Sequence, residues 1–177
     1  YSGIEYKRLF MEEVCMTDED YIGADDWIPV MLEFVNDGKL FKLSPKGISM
    51  YPLIVGKRDF AKLKKIEFPL KRGDICLYRR DNGKYVLHRI YKVDYDKREY
   101  YMMGDYQRII EGPLREEQML AVADSIVRKG KEISCSDRRY RFWTSLWMIL
   151  RPVRPYILKI YDMLKRIFWK GYRDENK

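Results

Sequence analysis

Apolar positions along this chain change period several times, and each change marks an element. Asp25-Asp26 precede apolar residues at Trp27, Val30, Met31, Phe34 and Val35. That is the i, i+3, i+4, i+7 spacing of an amphipathic helix, which Asn36-Asp37-Gly38 ends. Lys39 to Lys46 alternates as a strand and is broken by Ser44-Pro45. The basic stretch Lys57 to Lys65, with Asp59 inside it, reads as a solvated loop or edge. Ile75-Cys76-Leu77-Tyr78 reads as a strand, followed by Asp81-Asn82-Gly83, where Asn-Gly tolerates the positive φ angles of a two-residue hairpin turn. Lys84 to Val93 is the returning strand, Asp94 to Lys97 a turn, and Arg98 to Met103 a third strand. Together these predict an antiparallel meander ending at Gly104-Asp105. Glu111-Gly112-Pro113 is a further turn, and Met119 to Val127 a last apolar segment before Lys129-Gly130.

The two ends differ from this middle. Residues 1–23 show no firm period and form a lead-in, with a short helix around Glu5–Val14. Residues 134–177 form a tail with helical stripes. Tyr140, Phe142, Trp143, Leu146, Trp147 and Leu150 make one; Pro152 and Pro155 break it; Ile157, Ile160, Tyr161, Leu164 and Phe168 make another. Lys159, Arg166 and Lys170 point away from that second face. The organisation expected is a lead-in over 1–23, a mainly β domain over 24–133 and a basic, aromatic, helical tail over 134–177.

Charge sharpens this division. The chain of 177 residues carries a net charge of +8, yet residues 128–177 hold fourteen Lys/Arg against five Asp/Glu. Residues 1–127 hold twenty-one against twenty-two, so the body is near neutral and lacks the basic face that nucleic acid requires. Aromatic and basic residues on short amphipathic helices suit a membrane interface over residues 138–177, or packing on the body or a partner chain. The longest apolar run in the tail is the nine residues from Phe142 to Leu150, against roughly 20 for a span. Peripheral membrane association or a cytoplasmic location follows. Three dispersed cysteines, Cys15, Cys76 and Cys135, offer neither a disulfide framework nor zinc-ligand spacing, so no metal or other cofactor is expected.

Candidate chemistry centres on Gly47-Ile48-Ser49-Met50-Tyr51-Pro52. Glycine and proline restrict the backbone around Ser49 and can present its hydroxyl to a cleft. A serine hydroxyl attacks only when a base takes its proton and the resulting oxyanion is stabilised. His88, the single histidine of the chain, lies in a predicted strand and titrates near neutral pH. Asp105, at the turn ending the neighbouring strand, is the candidate to orient the imidazole. The main-chain amide of Ser49, with the turn at Gly47, is the candidate oxyanion site. These residues together read as a serine peptidase.

Ser49-Met50-Tyr51-Pro52, His88-Arg89-Ile90 and Gly104-Asp105, in that order, resemble the boxes of the S24/S26 serine peptidases, most closely the type I signal peptidases of the serine–histidine branch. The resemblance covers about residues 25–130. It implies Ser49 as nucleophile, His88 as general base, Asp105 as the acid of the third box and Glu111 as a supporting acid. It also implies an antiparallel coiled β fold of the signal-peptidase/LexA-like type and a signal or leader peptide as substrate. Two other readings stay open: a self-processing repressor-like relative, and a non-catalytic β-rich module tethered to a membrane or partner by its tail.

Overall fold

The computed structural model describes residues 24–161 and 163–164, so the short helix expected around Glu5–Val14 and the tail positions Arg166, Phe168 and Lys170 lie outside the described residues. The chain divides into two compact units, one ending at Arg141 and the other beginning at Phe142. The first unit is mainly β. Among the described residues, one helix, α1 (Ala24–Asn36), precedes eight antiparallel strands: β1 (Phe41–Leu43), β2 (Phe60–Lys64), β3 (Ile75–Arg79), β4 (Tyr85–Asp94), β5 (Glu99–Met103), β6 (Glu111–Arg115), β7 (Met119–Arg128) and β8 (Lys131–Ser134). They run in the order β1-β2-β7-β3-β4-β5-β6, with β8 also paired to β7.

Both faces of the central strands are buried, which is why Ile75 to Tyr78 shows no polar alternation. Ile75 and Leu77 join a core with Ile28, Met31, Leu87 and Ile126, under α1. Cys76 and Tyr78 join a second core with Ile90, Tyr100, Met102 and Val122. Register shifts in β2/β7, β3/β7, β4/β5 and β5/β6 bend and twist the strands between the two cores. The helix is where its apolar spacing puts it, with acids in the first turn. Its buried line runs through Ile28, Met31 and Val35, whereas Val30 is exposed; Trp27 stacks on Phe41 with ring centroids 5.8 Å apart.

Two expectations are corrected. The stretch Lys57 to Lys65 is no solvated loop: Phe60–Lys64 is β2, paired on both sides. Ala61 and Leu63 point inward, while Lys62 and Lys64 reach Glu132 and Asp124 on the outside. The lysines obscured an ordinary period of two. Glu111-Gly112-Pro113 is likewise not a free turn but the start of β6, at the end of the strand order where a proline costs no ladder bond.

A second helix, α2 (Arg138–Ile149), begins in the first unit and continues into the second. Within the second unit, Pro152 lies in the turn that follows, and Pro155 is the second residue of a further helical stretch, 154–161. Arg154 is buried there and its Nε donates to the Trp147 carbonyl at 2.8 Å. Phe142 and Trp143 were expected on the same stripe as Tyr140. They are instead about two-thirds exposed, as is Tyr156, and Ile157, Ile160, Tyr161 and Leu164 are exposed too. Among the described residues no helix is long and apolar enough to cross a membrane.

Candidate active site

Residues 44–59 connect β1 to β2 and carry Ser49. Gly47 has φ +89°, a left-handed conformation that favours glycine, and turns the chain just before the serine. Tyr51 N–H donates to the Ile48 carbonyl at 3.0 Å, and Ile54 N–H to that of Met50 at 2.9 Å. Met50 and Ile54 anchor the segment in the core beneath α1. Its far end is tied by Asp59, which is fully buried. That carboxylate accepts from Val55 N–H at 2.9 Å, from Lys129 N–H at 3.1 Å and from the Arg58 guanidinium. Burial opposes its charge, but Arg58 and the two amides prevail and hold its pKa below the ordinary value. Asp59 had been visible in the sequence only as one acid in a basic run.

Ser49 is half-buried, and its carbonyl accepts the Tyr106 N–H at 2.8 Å. The turn beyond β5 is therefore fastened to the serine. Gly104 makes this possible: a Cβ there would sit 2.6 Å from the Ser49 carbonyl oxygen. β4 and β5 pair Arg89 with Met103. Gly104 is the residue after Met103, as His88 is the residue before Arg89. The Ser49 carbonyl is thus packed against the residue that follows β5, the strand paired with that of His88. No hydrogen bond joins the Ser49 hydroxyl to His88 among the described residues.

His88 is buried on the face of the second core. Its Nδ1 lies 3.1 Å from the Tyr78 hydroxyl and 3.8 Å from Glu111 Oε1. Tyr78 donates to Glu111 Oε2 at 2.7 Å, as does Arg80 Nε at 2.7 Å, while Arg80 Nη2 bonds the other carboxylate oxygen. Burial pushes the imidazole pKa down to about 4; the Glu111 charge opposes this and Arg80 adds to it, so the ring is neutral at pH 7. Burial alone would raise Glu111, but its bonds from Arg80 and Tyr78 hold it below the ordinary carboxylate range. Burial and the same carboxylate push the Tyr78 hydroxyl well up.

Asp105 is placed differently from the expectation. It grips Arg89 with both oxygens, at 2.9 and 2.7 Å, and this pair is buried. Arg89 Nη1 also donates to the Gly73 carbonyl at 2.8 Å and to Tyr140 Oη at 3.1 Å. The strand pleat that sends His88 to one face sends Arg89 to the other, and Asp105 follows Arg89. On His88 it acts only as a charge, behind those of Glu111 and Arg80. The groups at the imidazole's Nδ1 are Tyr78 and Glu111.

Glu111 had been named in advance, from the resemblance; Tyr78 and Arg80 had not. The signal lay in the hairpin. Cys76 pairs with His88 and Tyr78 with Val86, so Tyr78 and His88 are diagonal neighbours within reach of long side chains. Among the described residues no cluster of three His, Cys, Asp or Glu side chains is arranged to hold a metal. Compared with protein-family models, curated proteins and solved structures, the chain has no match.

Proposed function

We propose that the chain is a serine endopeptidase, its first unit a coiled β fold of the signal-peptidase/LexA-like type, that hydrolyses a peptide bond in a signal or leader peptide. Ser49 is the nucleophile and His88 the base; the Ser49 amide, in the turn set by Gly47, serves the oxyanion. The observation that carries this reading is the seating of the Ser49 carbonyl against Gly104, at the end of the strand paired with that of His88. A neutral imidazole can accept the hydroxyl proton, and nucleophile and base often close to bonding distance only with substrate present. Asp105 and Arg89 hold the Gly104 turn from the opposite face and so support the serine indirectly.

The exposed aromatic and aliphatic side chains of the second unit, Phe142, Trp143, Tyr156 and Ile160 among them, dock on a membrane surface and bring the peptidase to its substrate. Mass spectrometry of candidate leader peptides incubated with wild type, Ser49→Ala and His88→Ala tests the chemistry. Cleavage by wild type and none by either variant is expected; turnover retained by either folded variant removes the assignment. Flotation with anionic vesicles, with and without residues 142–177, tests the docking, and equal flotation of the two forms overturns it.

A further inference from the structure

The Tyr78 hydroxyl carries one proton, and two atoms able to accept it flank the oxygen: Glu111 Oε2 at 2.7 Å and His88 Nδ1 at 3.1 Å. Glu111 is held ionised by Arg80 and has only lone pairs to offer. An oxygen–oxygen contact of 2.7 Å without a shared proton would set lone pair against lone pair, so the phenol proton must lie toward the carboxylate. The contact with Nδ1 is then a hydrogen bond only if the imidazole donates. We infer that Tyr78 and Glu111 are positioning residues that hold His88 as the Nδ1–H tautomer and leave Nε2 as its bare, proton-accepting nitrogen.

A neutral imidazole free in water prefers its proton on Nε2, the form useless to a base acting through that atom. The chain His88 Nδ1–H to Tyr78 Oη–H to the Glu111 carboxylate, clamped by Arg80, reverses this preference. Its parts are well fixed. Tyr78 and Arg80 lie near the end of β3, Tyr78 is fully buried, and Glu111 opens β6 beyond the neighbouring β5. This does the work of the acid in a triad, with a phenol interposed between carboxylate and ring. The catalytic use of Nε2 rests on the peptidase reading above; the tautomer itself does not.

Because the chain holds one histidine, two-bond proton–nitrogen correlations of the full chain, with its imidazole labelled with nitrogen-15, read the tautomer without ambiguity and without a substrate. Wild type at pH 7 is expected to carry its proton on Nδ1, and a proton on Nε2 overturns the inference. Glu111→Leu removes the acceptor that holds the phenol proton, which frees that proton for Nδ1 and shifts the imidazole proton to Nε2. Tyr78→Phe removes the relay and shifts it likewise. An unchanged Nδ1–H in both folded variants also overturns the inference. On a peptide that wild type cleaves, each variant should lose kcat by roughly 100- to 10,000-fold, the usual worth of general acid–base catalysis. Unchanged kcat in variants whose tautomer has moved removes the role of Nε2. An Nδ1–H reading in a protein that cleaves nothing upholds the tautomer and removes only the peptidase reading.

Discussion

His88 and Arg89 are adjacent in the chain and end in opposite electrostatic settings. His88 turns to the second core, where burial strips it of charge and Tyr78, Glu111 and Arg80 gather at Nδ1. Arg89 turns the other way into equal burial, yet stays charged because Asp105 grips it bidentately and Gly73 and Tyr140 accept from its Nη1. Desolvation acts on both. The difference is that one group can shed its proton and the other cannot, so one site becomes a neutral base and the other a buried ion pair. A neutral imidazole and a buried ion pair are thereby separated by a single peptide unit.

The hardest blow to this contrast falls on the ion pair. Asp105→Ala leaves Arg89 buried and uncompensated, and should cost about 3–5 kcal/mol of stability by urea unfolding. A loss below about 1 kcal/mol would mean that the pair does not brace the turn. The imidazole side responds to acid instead. The folded pKa of His88, about 4, lies below its ordinary 6.5, so between those values the unfolded chain binds a proton that the folded chain refuses. Stability therefore rises with pH across that window, and full protonation costs roughly 3 kcal/mol at about 1.4 kcal/mol per pKa unit. The lowered pKa of Glu111 acts in the same sense, its contribution being present above 4.5 and lost as pH falls. Urea unfolding at pH 5 and pH 7 measures the slope, which His88→Gln should flatten; an equal slope in that variant contradicts the assignment.

Smaller effects probe the link between the two sides. Gly104→Ala drives a methyl against the Ser49 carbonyl and must displace the serine backbone. Peptide cleavage should drop about 100-fold, the scale of a 1 Å misplacement, and an unimpaired variant would dissociate the turn from catalysis. Tyr140→Phe removes one acceptor from the Arg89 guanidinium and should cost about 1–2 kcal/mol by thermal unfolding. No change there would leave Gly73 and Asp105 sufficient for Arg89.

Much of the architecture was legible in advance. α1, the meander of β3 to β5 and the apolar β7 all stand where periodicity put them, because each buries a face whose spacing matches its element. β2 was hidden by lysines that snorkel outward, and β8 is too short and polar to announce itself. Ser49, His88 and Glu111 were identifiable as residues, but their partners were not.

The turn at Asp81-Asn82-Gly83 shows why. A two-residue Asn-Gly turn would pair Leu77 with His88 and place the ring in the core beneath α1. The observed turn has three residues between Arg80 and Lys84, with only Gly83 at positive φ, and it pairs Cys76 with His88. One residue of register transfers every side chain of a strand to the opposite face. Sequence alone determined that a helix, a set of antiparallel strands and a histidine beside an arginine exist here, since local spacing and turn chemistry decide such things. Which of those two neighbours turns to Tyr78 and Glu111 was decided by the tertiary structure, because strand register is settled by the simultaneous burial of both faces and not by any local preference.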